Sequence, residues 1–348
     1  MKKLLVLLLA AMILSSGFAF AGAYTGPAVK AKFASEELEG DFMTVQAHKF
    51  ADHMKEWSDG KIEFEIYPYG TLGATGDINE LAQMGVVQAV FSDYAWISAF
   101  VPQVQVLTLN YLFPTEQIPQ TLDWMMNHGE LMPVLNKAFA KNGLVPGAIM
   151  FEGWQWLTTK KPVKSFADVD GMKIRVMGSK LLVEDYKAYG FSPTPMSYGE
   201  VYSALQMGLV EGQVNPLFAI YSAKFFEVQD YITQLKNEPF IGIPSFNKEF
   251  MDSLTPEASA EILRWWKAQV IPAGEWIIER NQQDKAKMLK EKPSLVFSTI
   301  GDAEIAKFKT AAETVYPKYV EIGGEGAQEV LDTFLKDIEG AKKALNIK

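Results

Sequence analysis

The 348-residue chain has no cysteine and only three histidines, and each shortage removes a class of chemistry. Lacking cysteine, it has no disulfide, no thiol nucleophile and no lipid-anchored cysteine behind an export signal, so stability must come from an apolar core. His48, His53 and His128 stand in no metal-ligand spacing with other donors, and no metal site is expected. Basic residues are in deficit too. The net charge of −9 excludes a nucleic-acid partner but not a small anion, because one buried arginine can dominate a pocket. There is no Gly-x-Ser-x-Gly elbow, no Walker loop and no Gly-x-Gly-x-x-Gly after a strand. Glu36-Glu37 and Glu63/Glu65 carry the spacing of solvated faces, so neither an enzyme nor a bound cofactor is expected.

What the chain does have begins at its N-terminus. Lys2 and Lys3 precede the apolar run Leu4–Leu14 and the small-residue site Ala19-Phe20-Ala21, the pattern of a cleavable secretory signal over residues 1–21. That run is too short to span a membrane, and no later stretch approaches the roughly 18 to 20 apolar residues required. The expectation is a monomer exported to the periplasm and not itself inserted in the membrane. The length left after cleavage suits about two domains of ~150 residues.

Val29–Phe33 reads as an extended segment, Phe42–Trp57 as a helix stopped by Ser58-Asp59-Gly60, and Lys61–Pro68 alternates as a strand does, so the chain opens β-α-β. Gln83-Met84-Gly85-Val86-Val87 then recurs as Gln206-Met207-Gly208-Leu209-Val210. Each copy ends a helical pattern, turns on glycine and leads into a short strand, Ala89–Phe91 or Gln213–Asn215. The recurrence is either chance or the mark of two similar α/β lobes. A long helical region from Thr255 to Glu291, kinked or broken near Pro272, carries Trp265, Trp266 and Trp276 as core or lobe-bridging aromatics. Helices with a solvated Glu/Lys face complete the chain from Phe308 to Lys348.

Chemistry concentrates in one segment. The turn Asp168–Gly171 feeds the strand Lys173-Ile174-Arg175-Val176. A guanidinium at the end of such a strand can grip a carboxylate or sulfonate through two parallel hydrogen bonds. A surface ion pair is the other reading of the same spacing.

These residues carry a resemblance. Tyr67-Pro68-Tyr69-Gly70-Thr71-Leu72-Gly73, Leu157-Thr158-Thr159, Gly171–Val176, Pro193-Thr194-Pro195-Met196 and Tyr202–Gly212 followed by Asn215-Pro216 are similar, in that order, to the DctP-type substrate-binding proteins of tripartite ATP-independent periplasmic (TRAP) transporters. The match runs from about Val29 to Leu254. It implies an α/β, two-lobed periplasmic solute-binding (Venus-flytrap) fold with long lobe-bridging helices. The lobes expected are 22–150 plus 238–278, and 151–237 plus 279–348 with the C-terminal helices. It also implies delivery to a small and a large membrane subunit, with uptake driven by an ion gradient.

Within that resemblance the arginine that holds the ligand's acid group falls on Arg175, and the asparagine lining the same cleft on Asn215. Many members carry a second arginine before the Leu-Thr-Thr motif, where this chain has Gly153-Trp154-Gln155-Trp156. With Gln155 in place of a cation, a ligand with one acid group and a neutral polar end fits better than a dicarboxylate. A short hydroxy-sulfonate such as isethionate and a short hydroxy- or oxo-carboxylate are both compatible. Trp154 is either an apolar wall or a tryptophan packed under the hinge. Pocket walls are expected from the loop Glu36–Glu39 with Glu37, the turn Gly73-Ala74, the segment Ser92–Trp96 and Met196. Asp93 faces a hydroxyl or cation on the ligand, or else caps a helix. A dicarboxylate binder and a periplasmic sensor for a signalling partner are the alternatives.

Overall fold

A computed structural model describes residues 24–347; the signal-peptide expectation lies outside the described residues. The first unit is β1 (Val29–Ser35), α1 (Phe42–Trp57), β2 (Ile62–Tyr67), α2 (Thr75–Gln83) and β3 (Ala89–Asp93). α1 buries Phe42, Met43, Ala47, Phe50 and Met54, whose spacing places them on one broad helical face. It stops where the Ser58 hydroxyl turns back onto the Met54 carbonyl at 2.7 Å and Asp59 and Gly60 take positive φ, 54° and 76°.

The short α3 (Tyr94–Ile97), α4 (Ile118–His128) and α5 (Leu131–Lys141) lead to β4 (Leu144–Pro146) and the long β5 (Met150–Thr159). A second unit follows: β6 (Lys173–Val176), α6 (Lys180–Ala188), β7 (Ser192–Pro195), α7 (Val201–Met207), β8 (Gly212–Asn215) and α8 (Leu217–Ser222). Then come β9 (Tyr231–Asn247), α9 (Lys248–Ser253), α10 (Pro256–Glu291), β10 (Val296–Thr299), α11 (Asp302–Glu313), α12 (Tyr316–Gly323) and α13 (Ala327–Leu345).

The strands form one sheet in the order β2-β1-β3-β9-β5-β8-β6-β7, with β4 and β10 also paired to β9. From either edge the order is the same: second, first, then third strand of a β-α-β-α-β unit, all parallel within the unit. The recurrent turns match in detail. Val86 N donates to Leu81 O and Leu209 N to Ala204 O, both at 2.9 Å, across Gly85 and Gly208 at φ 72° and 70°. The recurrence therefore marks two lobes wound alike, and chance is set aside.

β5 and β9 pair antiparallel across both lobes, and their register slips between Phe151 and Gly153 and again between Trp154 and Trp156. Such slips bend a strand locally, here where the sheet passes from one lobe to the other. α10 lies against both lobes, and of the expected kink or break at Pro272 the break is excluded: its 36 residues run through Pro272 as one helix. Proline forfeits one helical hydrogen bond, but packing holds each half. Trp266 meets Phe33 and Phe91 at ring-centroid distances of 6.1 and 5.2 Å. Beyond the proline, Asn281 accepts from Phe218 N at 2.9 Å and donates to the Glu152 carbonyl at 3.0 Å. Trp265 and Trp266 are core residues. A second, smaller core gathers Val201, Leu205, Phe225, Phe226 and Met288 beneath the second lobe.

Candidate functional site

Where the C-terminal ends of β1, β3, β6 and β8 converge, a pocket opens between the lobes. Parallel strands of open α/β sheets deliver side chains to just such a crevice. The first lobe supplies Glu36, Glu37 and Asp41 from the loop before α1, Thr75, Asp93 and Trp96; the second supplies Arg175, Met177, Tyr198, Asn215, Phe218 and Ala219, and β9 adds Phe240.

β6 is exposed at Lys173 and buried from Ile174 to Val176, so of its two basic residues only Arg175 enters the interior, where it is 1% exposed. Its Nε donates to the Met196 carbonyl at 3.0 Å, which fixes the guanidinium plane. Its buried Nη1 has no partner among the described residues. The surface ion-pair reading of this strand is thereby excluded. Burial pulls the guanidinium down to about 10, while Asp93 acts to retain its charge. A buried cation with a free donor is costly alone and favours an incoming anion. Asn215 is held by Gln213 at 2.5 Å, itself anchored on Thr158 at 3.1 Å.

Four carboxyl groups share the pocket with this one arginine. Glu36 and Glu37, expected on a solvated face, are instead buried. The loop that follows β1 tucks under the start of α1, where protein donors replace water. Ser92 Oγ donates to Glu36 at 2.5 Å, and the Met43 N–H in the first turn of α1 donates to Glu37 at 2.6 Å. Asp41 accepts from Ser222 of the other lobe at 2.5 Å. Asp93 both lines the pocket and caps α3, accepting from Ala95 N and Trp96 N at 2.7 and 3.0 Å. Burial raises all four: Glu36 well above the carboxylate range, Glu37 to about 8, Asp41 to about 7 and Asp93 to about 6. For Asp93 the two backbone donors and Arg175 oppose the rise.

The remaining expectations are corrected in part. Ala74 is exposed and outside the lining, and its neighbour Thr75 lines the pocket instead. Gln155 is buried but lies outside the lining, at the β5 register slip, with both amide atoms unpartnered among the described residues. Trp154 is half-buried, packs against the main core and lies outside the lining. Met196 acts through its carbonyl, and its side chain is not part of the lining. Asp41, Tyr198, Phe218 and Phe240 were not anticipated. Asp41 carried a signal, as an aspartate directly before an apolar helical run, but nothing separates the three aromatics from ordinary core residues.

The two lobes meet around the pocket. Gly199 N donates to the Tyr69 hydroxyl at 3.1 Å, the Tyr69 and Tyr198 rings meet edge-on at 5.8 Å, and a Cβ on Gly178 would stand 2.8 Å from the Trp96 ring.

The model for bacterial extracellular solute-binding proteins of family 7 (DctP) matches residues 33–322. The chain belongs to the DctP family. This DctP-family protein is 33% identical, over 94% of its length and 95% of the relative's, to the ectoine/5-hydroxyectoine-binding periplasmic protein UehA of Ruegeria pomeroyi. The periplasmic ectoine-binding protein of the TeaABC TRAP transporter of Halomonas elongata aligns with a TM-score of 0.84 at 30% identity, covering 90% of this chain and 100% of that one. A TRAP periplasmic solute-binding protein of Desulfovibrio salexigens with bound orotic acid gives 0.83 at 27% identity, covering 90% and 99%. The DctP-family chain is thus a TRAP-type solute-binding protein with the two-lobed α/β fold. Among the described residues no helix is long and apolar enough to cross a membrane.

Proposed function

We propose that the protein captures a small zwitterion in the periplasm and hands it to the small and large membrane subunits of a TRAP transporter. The ligand's acid group sits on Arg175 and Asn215, and its cationic end faces Glu36, Glu37, Asp41 and Asp93. The observation carrying this reading is one guanidinium among four carboxyl groups in a single pocket. A dicarboxylate would set a second negative charge against the acidic groups with no second cation to receive it. Isethionate or a short hydroxy-acid would engage the arginine and leave Glu36 and Glu37 without a counter-charge, whereas Asp41 has Arg280 at 3.9 Å. The rings of Trp96, Tyr198, Phe218 and Phe240 suit a delocalised cation. The relatives named for ectoine support the same class, since ectoine joins a carboxylate to a ring amidinium. Transport without turnover accords with the solute-binding family.

Capture proceeds by closure across the β5–β9 crossing, which brings together Tyr69 with Gly199 and Asp41 with Ser222. On this reading the lobes are residues 22–150 with 238–278, and 151–237 with 279–348, joined at that crossing. One observation favours a second reading: carboxyls raised as far as Glu36 and Glu37 are acids at neutral pH and could donate to a hydroxyl or oxo group on a simple monoanion. A thermal-shift panel of ectoine, isethionate, lactate and succinate separates the two. A ligand at ~100 times its Kd adds about 2.7 kcal/mol of stability. A shift of that size with ectoine alone is expected; one with isethionate or lactate instead favours the second reading, and none with any compound rejects both.

A further inference from the structure

Glu36 is tied to the first lobe by a side chain that does not itself line the pocket. Asn79 of α2 is buried one turn beyond Thr75. Its amide nitrogen donates to the Thr75 carbonyl and to Ser92 Oγ of β3, each at 2.9 Å. Ser92, fully buried, donates in turn to Glu36 Oε2 at 2.5 Å. A single line of hydrogen bonds thus runs from α2 through β3 to a carboxyl that lines the pocket.

Each hydrogen in that line has one place to go. A main-chain carbonyl only accepts, so the end of Asn79 that meets Thr75 is its NH₂ group. Turning the amide over would set Oδ1 against that carbonyl and lose both bonds. Asn79 keeps this orientation although its Oδ1 has no partner among the described residues. The second amide hydrogen then occupies a lone pair of Ser92 Oγ, and the hydroxyl hydrogen is left for Glu36, its one acceptor among the described residues. Were Glu36 to donate instead, the buried Ser92 hydrogen would be stranded, and a buried hydrogen bond left unmade is costly.

Oε2 is therefore committed to the protein. Burial holds the Glu36 carboxyl well above the carboxylate range, and Asp93 and Glu37 add to the rise. Glu152 is a further acidic neighbour, and Arg175 faces Glu36 from the second lobe. Glu36 is thus an acid in the ligand-free pocket, and with Oε2 accepting from Ser92 its hydrogen belongs on Oε1.

We propose that Asn79 is a positioning residue: through Ser92 it fixes one oxygen of Glu36 as an acceptor for the protein and reserves the other, with its hydrogen, for the ligand. The inference rests on the reading of this pocket as the ligand site. It separates positioning from mere packing, because Asn79 should influence the ligand only through Ser92. Once Ser92 is alanine, there is no hydroxyl left for Asn79 to orient.

The test is a double-mutant cycle read by calorimetric titration of ectoine at neutral pH into the wild type, Asn79→Leu, Ser92→Ala and the double variant, with a neutron crystal structure of the ligand-free wild type. Each single variant should bind about three- to ten-fold more weakly. The double variant should stay within about two-fold of Ser92→Ala, since residues acting through one line of bonds are not additive. The neutron map should place the Ser92 hydrogen on the line to Glu36 Oε2 and the two Asn79 amide hydrogens toward Thr75 and Ser92. Unchanged affinity in Ser92→Ala, losses that multiply in the double variant, or a Ser92 hydrogen pointing elsewhere would each overturn the proposal. If Asn79→Leu does not fold, Ser92→Ala and the neutron map decide. If the wild type does not bind ectoine, the zwitterion reading falls and the neutron map alone decides: a Ser92 hydrogen directed at Glu36 supports the assignment, and any other direction overturns it.

Discussion

Replacing Arg175 with methionine should separate ligand affinity from stability. The guanidinium is buried, uses Nε on the Met196 carbonyl, and has a buried Nη1 with no partner among the described residues. An anion bound there gains charge-assisted hydrogen bonds, and removing one member of a buried ion pair costs about 3–5 kcal/mol. At 1.4 kcal/mol per factor of ten, Kd should rise roughly 150- to 4,000-fold. The ligand-free protein should behave differently, because methionine removes a buried charge that lacks a full set of partners. Its unfolding free energy should stay level or rise. Isothermal titration with ectoine and urea unfolding without ligand measure the two quantities. Affinity within about three-fold of wild type, or a loss of several kcal/mol in the ligand-free protein, would refute the reasoning, the latter by making Arg175 a structural residue.

Glu37, Asp41 and Asp93 titrate in the folded protein at about 8, 7 and 6, above the ~4 of carboxyls in an unfolded chain. A raised folded value means tighter proton binding in the native state. This stabilising contribution is complete below pH ~4 and is lost as pH rises through 6 to 8. Ligand-free unfolding free energy should therefore fall between about pH 5.5 and pH 8.5, and a flat or rising profile in chemical denaturation would contradict the burial of this cluster. Ser222→Ala removes a contact with Asp41 across the cleft and should weaken ectoine binding by about 0.5–1.5 kcal/mol, mainly through faster release in stopped-flow; unchanged release would argue against a latch. Asn281→Ala strips the Phe218 N–H and Glu152 carbonyl of their shared partner and should cost about 1–3 kcal/mol in urea unfolding, with a loss under ~0.5 kcal/mol contradicting its bridging role.

Much of the architecture was legible because it rests on local pattern. The alternation of Ile62, Phe64 and Ile66 and the stripe of α1 specify their elements without tertiary help, and the Gln-Met-Gly recurrence marks equivalent turns in both lobes. Arg175 and Asn215 were legible through the motif string around them. The acidic character of the pocket was not. Glu36 and Glu37 sit in a polar loop whose spacing is that of a solvated turn, and only the fold brings Ser92 and the start of α1 over them. Gln155 misled for a related reason. Its place in the motif suggested the pocket, but it lies where β5 slips register against β9, outside the lining. Pro272 was read as a kink or a break, and the break was wrong because local propensity was weighed without the packing of Trp266 and Asn281 on either side of it.

The most direct test of zwitterion capture is a crystal structure of the protein grown with ectoine. The expected result is ligand density in the interlobe pocket, with the carboxylate within hydrogen-bonding distance of Arg175 and the amidinium facing Glu36, Glu37, Asp41 and Asp93. A ligand bound in the reverse orientation, or a pocket occupied by an anion carrying no cationic group, would contradict it.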